Sequence, residues 1–185
     1  NLARANGVAP GKVMGEIAQN AEMFAKYSKK AGRNIADTAV QAVKLGISLG
    51  TIDGIMTSIL DIEGSLEKEM EASVMLNRQI SFDKARQLAM AGDTLGATKS
   101  ILEQVGGIAE WEKMSVMQRQ ALAEAAGTQV GEMQSMISNR SKLIEMGLVE
   151  ANGTEKLLSY FSGITSSVKE HGALLATSAN ALASL

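Results

Sequence analysis

The stretch that decides the fold is "TIDGIMTSILDIEGSLEKEMEASVMLN", residues 51–77. Its apolar residues recur at steps of three and four, the spacing of one face of an α-helix. Thr51 has a side chain suited to the N-cap position. The pattern therefore predicts one long helix whose apolar stripe faces the core. The members of that stripe are Ile52, Ile55, Ile59, Ile62, Leu66, Met70 and Val74.

Composition extends the helical interpretation to the rest of the chain. Hydrophobic residues make up 45% of the sequence and aromatics only 3%, and the one proline, Pro10, leaves the following residues free to be helical. Pro10 itself is predicted to open a helix that runs to about Lys30. No segment alternates β-branched and polar residues as a strand does. The predicted class is all-α, with helical hairpins over residues 1–150 and a long coiled-coil-like helix over residues 151–185.

Glycines four residues apart mark the predicted turns between helices. "LARANGVAPG", residues 2–11, aligns without gaps with "LAEAAGTQVG", residues 122–131, and "VKLGISLG" and "LAMAGDTLG" repeat the step. We expect the first glycine to end a helix at positive φ, and the small residues to let the next helix pack closely. The copies are unevenly spaced, which indicates recurrent turns and not a regular solenoid. The predicted turn glycines are Gly7, Gly11, Gly46, Gly50, Gly92, Gly127 and Gly131.

The last predicted helix carries a heptad seam. Its steps of four and three are sustained for about four heptads, which favours self-association, with a polar seam residue setting register or oligomer state. The alternative is that this helix lies against the chain's own core. The seam residues are Leu157, Phe161, Ile164, Val168, His171, Leu175, Ser178, Leu182 and Leu185.

The segment "LAEAAGTQVG" also has the spacing of a helix-turn-helix, with Ala123 followed by Gly127. A DNA-reading helix needs cationic or amide side chains on its exposed face and basic flanks for phosphates. Here Glu132 follows the turn, no basic residue occurs before Arg140, and the net charge of the chain is −2. The sequence thus favours a packing turn, and specific nucleic-acid binding is not expected.

Metal sites and catalysis are not indicated. The chain has no Cys and a single His, which excludes thiolate and His-rich sites within one chain. The acidic run Asp61, Glu63, Glu67, Glu69 and Glu71 contains i,i+4 pairs, but a di-metal site in a bundle also uses Glu-x-x-His pairs. A solvated helix face is expected instead. Neither a phosphate-binding loop nor a dinucleotide fingerprint occurs. We expect no catalysis and no cofactor.

Membrane insertion is a third possibility, confined to the uncharged residues 172–185. The apolar stretch of residues 40–62 is interrupted by Lys44, Asp53 and Asp61, so it does not read as a span. The first residue is Asn1, from which we expect that the chain is part of a longer or processed protein.

Three segments resemble the tail tape-measure proteins of long-tailed, in particular contractile-tailed, bacteriophages. They are "FAKYSKKAGRNIADTAVQAVKLGIS" (residues 24–48), "ILDIEGSLEKEMEASVMLNRQISFDKARQLAMAGDTLGA" (residues 59–97) and "MSVMQRQALAEAAGTQVGEM" (residues 114–133). The resemblance covers roughly residues 24–137 and includes no catalytic motif.

The resemblance implies a helical structural protein of the virion that sets tail length and fills the lumen of the tail tube. Such a protein contacts the tube and the baseplate hub or tail tip, is assembled in the host cytoplasm, and leaves the tube during genome ejection, when it can meet a membrane. We expect a homo-oligomer, a trimer, joined by the C-terminal seam. The alternative is a cytosolic helical adaptor or a helix-turn-helix regulator.

Overall fold

A computed structural model describes residues 2–145, apart from the side chains of residues 142, 143 and 145. Within this part the chain forms α-helices and one 3-10 turn and no strand, which confirms the all-α class. A first compact unit ends at Lys142, and a second, Leu143–Leu185, lies almost wholly outside the described residues. The elements are α1 (Leu2–Ala5), α2 (Pro10–Gln19), α3 (Ala21–Tyr27), a 3-10 turn (Lys30–Gly32), α4 (Arg33–Leu45), α5 (Leu49–Leu60), α6 (Ile62–Leu76), α7 (Asp83–Met90), α8 (Thr94–Val105), α9 (Ile108–Lys113), α10 (Val116–Ala125) and α11 (Val130–Glu145).

The centre of the first unit is formed by α4 and α5. Their side chains Ile35, Leu45, Leu49, Ile52 and Ile55 are fully buried. Helix α4 packs against α2 and α8, and α5 packs against α6, α7 and α8. Helices α7 and α8 pack together, as do α6 and α10. The core is therefore mainly aliphatic and built around two central helices, with Trp111 and Phe82 as its largest buried side chains.

The prediction of one helix over residues 51–77 is wrong. Helix α5 ends at Leu60, and Asp61, at φ −75° and ψ 89°, is the N-cap of a second helix, α6. The Asp61 carboxylate accepts a hydrogen bond from the backbone N–H of Gly64 at 3.5 Å. The N-cap of α5 is Ser48 and not Thr51, because the Ser48 hydroxyl accepts from the Thr51 N–H at 3.0 Å.

The break at Asp61 reverses the orientation of half of the predicted stripe. Ile52, Ile55 and Ile59 on α5 are buried, as predicted. The prediction that the α6 residues also face the core is wrong, because that helix buries Ser65, Glu69 and Ala72 instead. The exposed fractions of the four misplaced residues are 49% for Ile62, 48% for Leu66, 67% for Met70 and 77% for Val74.

The helix predicted from Pro10 to Lys30 is also divided. Asn20, at φ −121° and ψ 47°, separates α2 from α3, and its side-chain amide donates to the Glu16 carbonyl at 2.8 Å. Lys30 and Ala31 then adopt left-handed conformations before α4 begins. Further along the chain, the side chain of Asp93 caps α8 and that of Ser115 caps α10.

Among the described residues no single helix is long and apolar enough to cross a bilayer. The segments Lys30–Leu45 and Leu49–Leu60 satisfy the length and composition criterion only as a pair, which is bent by 108°. Both segments contain the fully buried residues that form the centre of the core.

Candidate interaction surface

Four glycine turns among the described residues share one hydrogen-bond pattern. At Gly127 the N–H of Thr128 donates to the Ala123 carbonyl and the N–H of Gly127 donates to the Glu124 carbonyl, each at 3.0 Å. The same pair of bonds occurs around Gly7, Gly46 and Gly92. All four glycines have φ between +69° and +74°, the left-handed conformation of a Schellman C-cap.

The glycines that follow these turns lie inside helices. Gly11, Gly50 and Gly131 are the second residues of α2, α5 and α11. A Cβ atom at Gly50 would lie 3.0 Å from the Asn20 side-chain oxygen, whereas one at Gly11 or Gly131 would meet no atom within 4 Å. Close packing therefore accounts for Gly50 but not for the other two glycines.

The turn in "LAEAAGTQVG" packs against α5. A Cβ atom at Gly127 would collide with the Ser58 side chain and lie 3.4 Å from Ile55 Cα. On the far side of the turn, the Glu132 carboxylate accepts hydrogen bonds from the Thr51 hydroxyl at 2.7 Å, the Thr128 hydroxyl at 2.8 Å and the Gln129 N–H at 3.3 Å. Burial raises the pKa of Glu132, but these three hydrogen bonds outweigh it and lower the pKa below its usual value.

This geometry favours a packing turn over a base-reading helix. The face of α11 that a helix-turn-helix module packs inward is buried here too, through Met133, Met136 and Ile137. Its first turn, however, presents a carboxylate that is held to α5, where phosphate contacts would need cations. The adjoining Glu124 adds a second negative charge at the turn.

A polar cleft of about 630 Å³ lies beside this turn. Hydroxyl groups and glycine backbone dominate its walls, and Lys68, Glu124 and Glu132 supply its charges. Because Glu132 already accepts three hydrogen bonds, its carboxylate is occupied by the protein itself. The remaining wall residues are Ser48, Gly50, Thr51, Gly54, Ser58, Gly127, Thr128 and Gln129.

A second cleft, of about 540 Å³, has a basic rim formed by Lys29, Lys30 and Arg33. The Lys29 ammonium donates to the carbonyl of Ala91, so it links the two walls. Asp37 and Asp93 also line the cleft and offset part of its positive charge. The mixture of charges is that of an ordinary solvated surface.

The most unusual surface is the exposed side of α6. Ile62, Leu66, Met70 and Val74 are four residues apart and form a continuous row on one side of the helix, here called the apolar row. It extends for about 18 Å at 1.5 Å per residue. Met14 on α2 and Met90 on α7 are, in contrast, each the single exposed large apolar residue of their helix, which is normal for a protein surface.

A buried ion pair holds α6 in this orientation. The Arg86 guanidinium, on α7, bonds to the Glu69 carboxylate and to Asp83, and donates to the Ser65 hydroxyl at 2.9 Å. Its Nε donates to the Ile59 carbonyl at the end of α5, also at 2.9 Å. Glu69 in turn accepts from the Phe82 N–H at 3.0 Å. Because Ser65 and Glu69 must face Arg86, the residues on the neighbouring side of α6 face solvent.

The prediction that the acidic run is a solvated helix face is therefore wrong for one residue, Glu69. Glu69 is only 4% exposed, while Glu63, Glu67 and Glu71 are exposed. No group of three or more His, Cys, Asp or Glu side chains within residues 2–145 is arranged to hold a metal ion. The sequence signal for the buried pair was weak, because Glu69 and Arg86 lie 17 residues apart.

The predicted seam lies outside the described residues. This holds for Leu157, Phe161, Ile164, Val168, His171, Leu175, Ser178, Leu182 and Leu185, and equally for the uncharged residues 172–185. Comparisons with protein-family models, with curated proteins and with solved structures found no match to this chain.

Proposed function

We propose that the chain is a structural protein of a bacteriophage virion, a segment of a tail tape measure. In this role it occupies the tail-tube lumen, contributes to tail length and contacts the tube and the baseplate hub or tail tip. It is assembled in the host cytoplasm and is released with the genome. It acts through protein contacts, without catalysis and without a cofactor.

The observation that carries the assembly role is the apolar row on α6. Exposed apolar residues that lie in contiguous patches mark interaction sites more often than scattered ones do. Four such residues on one helix face form an apolar strip, which the apolar side of a partner helix can cover. The tape-measure assignment within that role is supported by the resemblance of residues 24–137.

The proposed architecture has two parts. Helical hairpins joined by glycine turns form the first, and a C-terminal coiled coil forms the second. The seam from Leu157 to Leu185 joins copies of the chain, with a trimer expected from the role in the tail. The polar seam residue His171 sets the register of the copies.

Tail composition tests the assignment. Particles of the phage that encodes the chain are separated into heads and tails, and each fraction is analysed by mass spectrometry before and after DNA ejection in vitro. We expect peptides from residues 2–145 in intact tails and their loss after ejection. Peptides found only outside the particle would overturn the assignment.

Sedimentation equilibrium tests the seam. The full chain is compared with a Phe161→Asp/Val168→Asp variant and with a control, Ser166→Asp/Ser167→Asp, which changes the charge equally at positions off the seam. We expect the oligomer to persist in the control and to dissociate in the seam variant. A monomer in every case would refute the seam.

A further inference from the structure

A row of carboxylates runs beside the apolar row. Glu63, Glu67 and Glu71 each follow one apolar residue of α6 in sequence, so this acidic row lies about 100° around the helix from the apolar row. All three glutamates are exposed, and none forms an ion pair within 4.0 Å among the residues that the structure describes. The exposed side of α6 thus carries an apolar row and an anionic row next to each other.

Both rows leave α6 with an unfavourable surface, because one exposes apolar area to water and the other places like charges close together. Glu63 with Glu67, and Glu67 with Glu71, are like charges at i,i+4 spacing, which destabilises a helix. The one cation of α6, Lys68, is two residues from both Leu66 and Met70, and therefore lies on the opposite side of the helix. A partner that covers the apolar row and brings cations to the acidic row relieves both problems.

We propose that this surface binds a basic amphipathic α-helix of another protein. That helix has apolar residues at i,i+4 spacing and a parallel line of Lys or Arg. This inference rests on the assembly role proposed above and specifies the chemistry of one partner. The apolar contact provides affinity, and the paired charge rows fix the side and direction of the bound helix.

The charge of the surface argues against two other occupants. A second copy of α6 brings three more carboxylates and no cation in the matching row. Two copies of α6 could pair antiparallel through their apolar rows, with a twofold axis relating them. Both acidic rows would then lie on the same side of the helix pair and repel each other. An anionic lipid surface is repelled in the same way.

The probe is a fluorescein-labelled peptide of about 18 residues, which as a helix is about 27 Å long and extends past the row by nearly one turn at each end. It contains Leu at helical spacing and Lys at the other positions. The matched control peptide has Glu in place of every Lys. Binding to the full 185-residue chain is measured by fluorescence anisotropy at low and at moderate salt.

Two variants separate the two rows, and two further variants are their controls. Met70→Gln/Val74→Thr removes half of the apolar row, and Glu63→Gln/Glu67→Gln/Glu71→Gln removes the acidic row. The apolar control is Met14→Gln/Met90→Gln, on α2 and α7, where both residues are exposed. The charge control is Glu22→Gln/Glu110→Gln/Glu112→Gln, three exposed glutamates elsewhere. Circular dichroism verifies that each variant is folded.

We expect the Leu/Lys peptide to bind and the Leu/Glu peptide to bind at least about tenfold more weakly. Each row variant is expected to weaken binding of the Leu/Lys peptide by about tenfold or more, and each control variant by less than about twofold. Added salt is expected to weaken binding to the wild type more than binding to the acidic-row variant. Equal affinity of the two peptides, or binding unaffected by the row variants, overturns the proposal. The proposal is also overturned if the chain forms a dimer that the Met70→Gln/Val74→Thr substitutions dissociate. It is overturned as well if the chain binds phosphatidylcholine vesicles and the row variants weaken that binding.

Failure of this proposal is distinguishable from failure of the proposed function. If the chain is found in tails but the peptide does not bind, the tail assignment stands and the partner chemistry is wrong. If the peptide binds through both rows but the chain is absent from tails, the surface is an interaction site and the tail assignment is wrong.

Discussion

The guanidinium of Arg86 is bonded to the carboxylate of Glu69 inside the protein, where the two side chains are 8% and 4% exposed. This pair determines which side of α6 faces inward. Ser65 and Glu69 turn toward Arg86, and as a consequence Met70 and Val74 point into solvent. The surface that we propose as an interaction site is thus a result of a charged contact in the interior.

Breaking this pair is expected to destabilise the fold strongly. Arg86→Met leaves the Glu69 carboxylate buried without a cation, which costs about 3–5 kcal/mol of unfolding free energy. Arg86→Met/Glu69→Gln removes the stranded charge but keeps an acceptor for the Phe82 N–H, so it recovers about half of that loss. Urea denaturation measures both. A loss below about 1 kcal/mol for Arg86→Met would show that the pair is not formed.

The two glycines of "LAEAAGTQVG" are expected to respond oppositely to alanine. Gly127→Ala forces a Cβ into a left-handed backbone and against Ser58, and costs more than about 2 kcal/mol. Gly131→Ala, in α11 with open space around it, is neutral or stabilising by up to about 1 kcal/mol. Thermal unfolding of the two variants checks this, and equal shifts would contradict the described turn.

Glu132 is expected to contribute an acid-sensitive part of the stability. Its pKa is lowered in the folded state, because hydrogen bonds from Thr51, Thr128 and Gln129 outweigh burial. The contribution is therefore full above the unfolded pKa of the side chain and is lost as the pH falls through the lower folded pKa. Glu132→Gln should be less stable than the wild type at pH 6, with a smaller difference at pH 3. Urea midpoints at both values measure this, and a pH-independent difference would refute it.

Substitutions on the two halves of the predicted stripe are expected to differ in cost. Met70→Gln and Val74→Thr change the unfolding free energy by less than about 0.5 kcal/mol each, because both positions are exposed. Ile55→Ala, fully buried on α5, costs about 2–5 kcal/mol. Chemical denaturation of these variants provides the comparison. A large cost at Met70 or Val74 would mean that the row is covered in the native chain.

The sequence predicted the class and the core of α5 because both depend on local periodicity. Ile52, Ile55 and Ile59 follow the helical step and are buried. The step continues unbroken into Ile62, so periodicity alone did not reveal the break. Asp61, an N-cap residue type inside the run, was the available signal.

The local sequence did not reveal which side of α6 faces solvent, because the orientation of the helix depends on a residue distant in the chain. Arg86 follows the helix by ten residues and reaches back to Ser65 and Glu69. A buried charged pair contradicts the usual rule that apolar residues of an amphipathic helix face inward. The glycine turns, in contrast, were visible in sequence, since left-handed C-caps favour glycine.

The most direct measurement of the central claim, that α6 leaves its apolar row exposed in the folded chain, uses single cysteines. The chain has no native Cys, so Met70→Cys and Val74→Cys introduce unique thiols, and Ala72→Cys is the buried control on the same helix. Maleimide labelling is followed in the native 185-residue chain and in urea. We predict that the thiols at positions 70 and 74 react in the native chain at nearly their rate in urea, while the thiol at position 72 is strongly protected. Protection at 70 and 74 equal to that at 72 would contradict the account.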